Sequence, residues 1–281
     1  MRMPSKTMIL LNGAVALVAV ASVVTMGRSM LGMDRLESCR ERYPNAIQWS
    51  VQRDNGDLLS SSDLQARLGS TDWNLIERVT VVKADHGQGT ALAFNLAASG
   101  DRSRSTAKAQ TGAGFEWAPH SVGPVKAACA SYAVRFNRDF DFGGGGRLPG
   151  LFGGRPGEDR NAHEAFSARL SWAKDGLLSI YGHMPGLTPS YDLRNERREA
   201  ELPVGQWVAV DQEVVLNTPG RSDGAIRVWL DGKLRFESRN LSFRTGPESE
   251  IRGVLAEVAY TQQPPAKGNG GVSITPFEFR W

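Results

Sequence analysis

The segments AFSARLSW and LLSIYGH, joined through Asp175 and Gly176, alternate apolar and polar residues with period two. Side chains on a strand point alternately to the two faces of its sheet. Phe166, Ala168, Leu170 and Trp172 therefore face a core, while Ser167, Arg169 and Ser171 project away from it. In the second segment Leu178 and Ile180 point inward, and Ser179, Tyr181 and His183 point outward. Paired as a hairpin, the two strands bring an arginine, a tyrosine and a histidine onto one sheet surface. Just upstream, GGGGRLPGLFGG carries Arg147 and reads as a glycine-rich loop, mobile but with apolar anchors, packed beside a cleft.

The rest of the chain repeats this kind of segment. From Glu77 onward come RVTVVKA, TALAFNLA, ASYAVRFN, WVAVDQEVVLN, AIRVWLDG, KLRFES, GVLAEVAY and VSITPFEFRW. Turn signals such as Thr218-Pro219-Gly220, Asp223-Gly224 and Asp231-Gly232 separate them. Many short strands with almost no helical periodicity predict an all-β fold, a jelly-roll β-sandwich. One short helix is expected at SSDLQARLG, with Ser62 as its N-cap. QQPPAKGNGG (262–271) reads as a long turn, and the final strand runs to Trp281.

Ahead of the strands, Arg2 and Lys6 precede an uncharged apolar run from Met8 to Met26. The run reads as a signal peptide with Ala19-Val20-Ala21 as its exit, or as a membrane anchor helix. The valines beyond Ala21 favour the anchor. Three segments follow: 1–28 as signal or anchor, 29–76 as an N-terminal extension, and 77–281 as the jelly-roll domain. Either fate of the first segment places the domain outside the cytoplasm: periplasmic, tethered to the inner membrane, or secreted. The net charge of +3 belongs to Arg2, Lys6 and Arg28; without residues 1–28 basic and acidic side chains balance. Nucleic acid, which calls for a basic stripe, is therefore not an expected partner. The two cysteines, Cys39 and Cys129, suggest a disulfide in an exported protein, against two unrelated buried thiols. No metal-ligand spacing occurs.

Three chemistries can be weighed against these residues. A glycosidase needs two carboxylates flanking the scissile bond. Glu158, Asp159 and Glu164 are the nearest, and they read as solvated charges of a polar loop. A serine hydrolase of the nucleophile-elbow type needs Gly-x-Ser-x-Gly, which is missing; Ser167 sits in mid-strand. β-Elimination from a uronic acid needs a cation to neutralise the carboxylate, a base for the C5 proton and an acid for the leaving O4. Arg169, Arg147, Tyr181 and His183 supply that set with no cofactor. Ser, Arg, Tyr and His are also ordinary on any solvated sheet face. His86, His163 and His120 have no evident partner, Trp207 and Trp229 suit sugar stacking or core packing, and Asp101–Gln110 is a basic loop, solvated or holding an acidic polymer.

The series SYAVRFNRDFDFGGGGRLPGLFGG, FSARLSWAKDG, YGHMP, LPVGQWVAV and VVLNTPGRSDGAIRVWLDGK resembles polysaccharide lyase family 14, over roughly Glu77 to Trp281. The resemblance implies a β-jelly-roll lyase that cleaves alginate or glucuronan by β-elimination, with an acidic polysaccharide as partner. The family pattern has a lysine before Leu-Pro-Gly-Leu, a Ser-x-Arg on one strand and a Tyr-x-Tyr on the next. These positions fall on Arg147, Ser167, Arg169, Tyr181 and His183, so two of the five depart. Arg147 keeps the positive charge but stays protonated, and a histidine replaces the second tyrosine. Also, AEVAYTQQPPAKGNGG lacks the aromatic-glycine run expected there. The roles assigned are Arg169 and Arg147 on the carboxylate, His183 as base and Tyr181 as acid or the two exchanged, and Ser167 orienting substrate or Arg169. Two rivals are a carbohydrate-binding accessory protein that uses the same groove without chemistry and, more weakly, a glycoside hydrolase.

Overall fold

Alternating burial along the strands resolves into two antiparallel sheets packed face to face. The structure is a computed structural model, and it describes residues 38–85, 87, 89–96, 112–157, 164–185, 191–194, 200–261 and 270–281. The expected anchor, the loop Asp101–Gln110 and residues 262–269 lie outside the described residues. Among the described residues no helix is long and apolar enough to cross a membrane.

Among the described residues, three short α-helices, α1 (Cys39–Arg42), α2 (Ser61–Leu68) and α3 (Leu75–Arg78), lie ahead of or between the first strands. The strands are β1 (Ala46–Gln48), β2 (Val79–Lys83), β3 (Thr90–Asn95), β4 (Gly112–Trp117), β5 (Ala127–Phe136), β6 (Gly146–Gly154), β7 (Phe166–Trp172) and β8 (Leu178–His183). They continue with β9 (Tyr191–Arg194), β10 (Val208–Val215), β11 (Gly224–Leu230), β12 (Lys233–Leu241), β13 (Glu250–Tyr260), β14 (Gly271–Ile274) and β15 (Glu278–Arg280). One sheet has nine strands in the order β12-β11-β10-β5-β14-β3-β2, with β15 beside β5 and β1 beside β15. The other has six, in the order β4-β13-β6-β7-β8-β9.

Val134, Phe136, Val210, Val214, Ile226 and Val228 of the larger sheet meet Leu151, Phe166, Leu170, Trp172, Ile180 and Val258 of the smaller one in a single core. Burying such faces is the main favourable term in folding. The segment ahead of β2 is part of this packing: Val51, Leu59, Leu64 and Leu75 join the same core, and β1 pairs with β15.

Three local expectations need correction. The helix at 61–68 is capped by Ser60, not Ser62, because Asp63 stands at the third helical position and closes a reciprocal capping box with Ser60. VSITPFEFRW is two strands, since the chain leaves β14 at Ile274 and re-enters beside β5 as β15. Most of GGGGRLPGLFGG is strand β6, in the middle of the smaller sheet. Its glycines serve close approach: a Cβ on Gly150 would run into the carbonyl oxygen of Ala168 on the next strand.

Cys39 of α1 is disulfide-bonded to Cys129 of β5. Beside it the fully buried Glu213 of β10 accepts from Tyr43 (2.7 Å), Arg42 (2.5 Å) and Arg227 (2.5 Å). These groups lie on the outer face of the larger sheet, because Ala128, Ala130, Val210 and Val214 take the inward positions of the same strands.

Candidate active site

Strands β7 and β8 pair with Ser167 opposite His183, Arg169 opposite Tyr181 and Ser171 opposite Ser179. Directly opposed residues of an antiparallel pair project to the same side. With Phe166, Ala168, Leu170 and Ile180 in the core, all six polar residues occupy the outer face of the smaller sheet. That face is sheltered: Arg169 is 9% exposed and Ser167 7%, while Tyr181 and His183 are half-buried.

Arg147 reaches this face through two irregularities. Between Arg147 and Gly150, β6 runs one residue longer than β7, which advances only from Ser171 to Arg169. On its other side β13 runs one residue longer than β6, from Leu255 to Ala259. Such bulges re-aim side chains and are frequent beside active sites. Here the kink centres on Pro149, which has no N–H to give to a ladder. Two side chains of the larger sheet hold it from behind. Tyr132 donates its hydroxyl to the Pro149 carbonyl (3.0 Å), and burial pushes that phenol's pKa up, so it stays a donor. Gln212, fully buried, accepts from the Leu151 N–H (2.9 Å) and donates to the Ala168 carbonyl (2.8 Å).

The longer β13 delivers Glu257 to the same face, a residue that sequence reasoning missed. Its carboxylate bridges the two guanidinium groups, with Arg147 Nη1 at 3.2 Å from Oε1 and Arg169 Nη1 in contact with Oε2. Both arginines also lie against the ring of Tyr181, with Cζ at 4.0 Å (Arg147) and 4.9 Å (Arg169) from its centroid. Burial pushes the Arg147 pKa below its ordinary value while Tyr181 acts in the opposite direction. The group nevertheless remains a cation. The buried Arg147 Nε makes no hydrogen bond. Among the described side chains, two cations and one internal carboxylate leave a net positive cluster, with a phenol between the guanidinium groups and an imidazole one alternate position along β8. This arrangement can hold an anionic group beside two proton-transfer side chains.

The family described as Polysaccharide lyase 14 matches residues 86–261, a span that holds all of these side chains. The chain belongs to this family. It is thus a polysaccharide lyase, of the carbon–oxygen lyase class. No curated protein matches it in sequence. The fold is similar to that of the PL-14 alginate lyase from Aplysia kurodai, with a TM-score of 0.67 and 24% identity over 84% of this chain and 98% of that one. It is also similar to an alginate lyase from Chlorella virus (TM-score 0.63, 17% identity, 83% and 99% covered). An endo-β-1,4-glucuronan lyase from the fungus Trichoderma reesei is more distant (TM-score 0.52, 13% identity, 72% and 86% covered).

Other candidates lie elsewhere in the lyase. Glu164, expected to be a solvated loop charge, is 6% exposed and accepts from the Thr245 N–H and hydroxyl. It stitches the start of β7 to the segment after β12 and belongs to the framework. Trp229 is buried in β11. Trp207 donates to Asp85 (2.8 Å) and lies under Arg135, just before β10 of the larger sheet. His120 is exposed in a turn, and His86, His163, Glu158 and Asp159 lie outside the described residues. Among the described residues, the close group of metal-ligand types is Cys39, Cys129 and Asp211, and the disulfide takes both sulfurs.

Proposed function

We propose that this lyase cleaves a uronic-acid-containing polysaccharide by β-elimination on the outer face of its smaller sheet. The observation that carries the reading is the phenol of Tyr181 set against two guanidinium groups, with His183 next along the same strand face. Arg169 and Arg147 receive the substrate's carboxylate and take up the negative charge that develops as C5 loses its proton. His183 accepts that proton on a ring nitrogen. The C5 electron pair forms the C4–C5 double bond, the C4–O4 bond breaks, and Tyr181 gives its proton to the departing O4. His183 then returns a proton to Tyr181 through solvent, and the balance closes with no external reactant. Ser167, opposite His183, orients the substrate. The named substrates of the similar folds, alginate and glucuronan, are both uronate polymers and belong in the test panel.

The test is incubation with alginate, glucuronan and other acidic polymers, following ultraviolet absorbance of unsaturated ends. Arg169→Ala is expected to abolish product formation while leaving the melting transition cooperative. Retention of polymer with no new double bonds would replace catalysis by binding, and reducing ends without unsaturation would point to hydrolysis.

A further inference from the structure

Beyond the reacting cluster, the same face carries an aromatic side chain from outside the family-matched span. Trp73 pairs with Gly114 of β4 as an isolated antiparallel bridge, with Trp73 N–H to Gly114 carbonyl at 2.9 Å and the return bond at 3.1 Å. Gly114 is in turn opposite Glu257. Opposed residues share a face, so Trp73, Gly114 and Glu257 form one row across the sheet that leads toward Arg147. The indole lies on Gly114: a Cβ added there would come within 2.7 Å of Nε1 and 2.8 Å of Cε2. A glycine at 114 is what lets the ring settle on the sheet.

Packing among the described residues does not account for this ring. Trp49, Trp117, Phe115 and Phe277 form an aromatic group inside the sandwich, and the half-buried Trp73 is neither in it nor packed against the core. The short segment is nonetheless held firmly. Asn74 adopts the left-handed conformation (φ 55°) and donates to the Gly112 carbonyl at 3.1 Å. The next residue, Leu75, is fully buried. A non-glycine residue at positive φ costs free energy and persists only where its surroundings impose it.

We propose that Trp73 is a sugar-stacking platform, a binding position on this face for a pyranose unit away from the one being cleaved. A flat indole, apolar on its face and polar at its edge, suits a sugar's C–H face. Three strand spacings separate it from β6, about 14 Å, so it serves a long chain and not a short oligomer. The assignment rests on the polysaccharide reading, and it predicts a length-dependent effect that structural damage would not give.

The experiment compares wild type, Trp73→Ala, and Trp73→Leu, which keeps apolar bulk on Gly114 without an aromatic face. Retardation in alginate-containing gels is measured alongside KM and kcat for alginate and for an alginate trisaccharide. In both variants polymer affinity should fall and KM for the polymer rise by about three- to tenfold, with kcat and trisaccharide cleavage unchanged and Trp73→Phe restoring most of the loss. Equal effects on polymer and trisaccharide, or none on either, would overturn the assignment; if Trp73→Ala does not fold, Trp73→Leu decides. Retardation of the wild type without unsaturated ends would remove the elimination reading alone, and Trp73 would still be judged by the gels.

Discussion

Replacing Gln212 by Leu removes the amide that holds β6 and β7 from behind. The Leu151 N–H and the Ala168 carbonyl lose their partner in a site with no water access, since Gln212 is fully buried. Leaving a buried polar group unsatisfied costs about 1–3 kcal/mol. Burial of the leucine's apolar carbons offsets about 1–2 kcal/mol of the total. The two groups together cost about 2–6 kcal/mol, so a net loss of about 1–4 kcal/mol follows, which for a domain of this size lowers Tm by roughly 2–16 °C. Urea unfolding followed by tryptophan fluorescence measures the first quantity, and a thermal melt the second. Leu151 and Ala168 are also registered partners, so the two groups have one escape: the strands close and pair directly. Closure would flatten the kink at Pro149 and carry Arg147 away from Tyr181, so stability would recover while the rate of unsaturated-product formation fell. A variant with unchanged Tm and unchanged kcat/KM would refute the assignment of Gln212 as the support of the site.

Two other perturbations test separate parts of the molecule. Glu257→Gln leaves two guanidinium groups side by side without their shared anion; breaking such a buried set costs about 3–5 kcal/mol, read by thermal melt. The salt dependence of KM for the acidic polymer should steepen as the cluster gains net positive charge. Cys129→Ser opens a loop whose ends are 90 residues apart and should lower unfolding free energy by about 2–5 kcal/mol, measured in denaturant under non-reducing conditions.

The hairpin that bears the site was legible because its alternation is clean: Phe166 to Trp172 and Leu178 to His183 fall on the faces that their parity dictates. The strands that escaped notice lacked that signal. In β6 and β4, glycine takes positions where strands usually carry bulky residues, because the neighbouring backbone at Gly150 and the Trp73 ring at Gly114 leave no room for a Cβ. β1 and β9 are short strands of three and four residues. Glu257 was visible as the charged residue of an otherwise apolar GVLAEVAY, and parity would have placed it outward. Nothing in one sequence said that an inserted residue in β13 would bring it to the arginines. The buried state of Glu164 was illegible for a similar reason: its partners Thr245 and Ser249 are about eighty residues away in the chain.

The disulfide and the Glu213 cluster occupy the reverse of the sandwich, while every side chain assigned to sugar faces the obverse. Material coupled to the reverse is separated from arriving polymer by the full thickness of two layers. An immobilised preparation made that way should work on viscous, high-molecular-weight substrate as freely as the enzyme in solution.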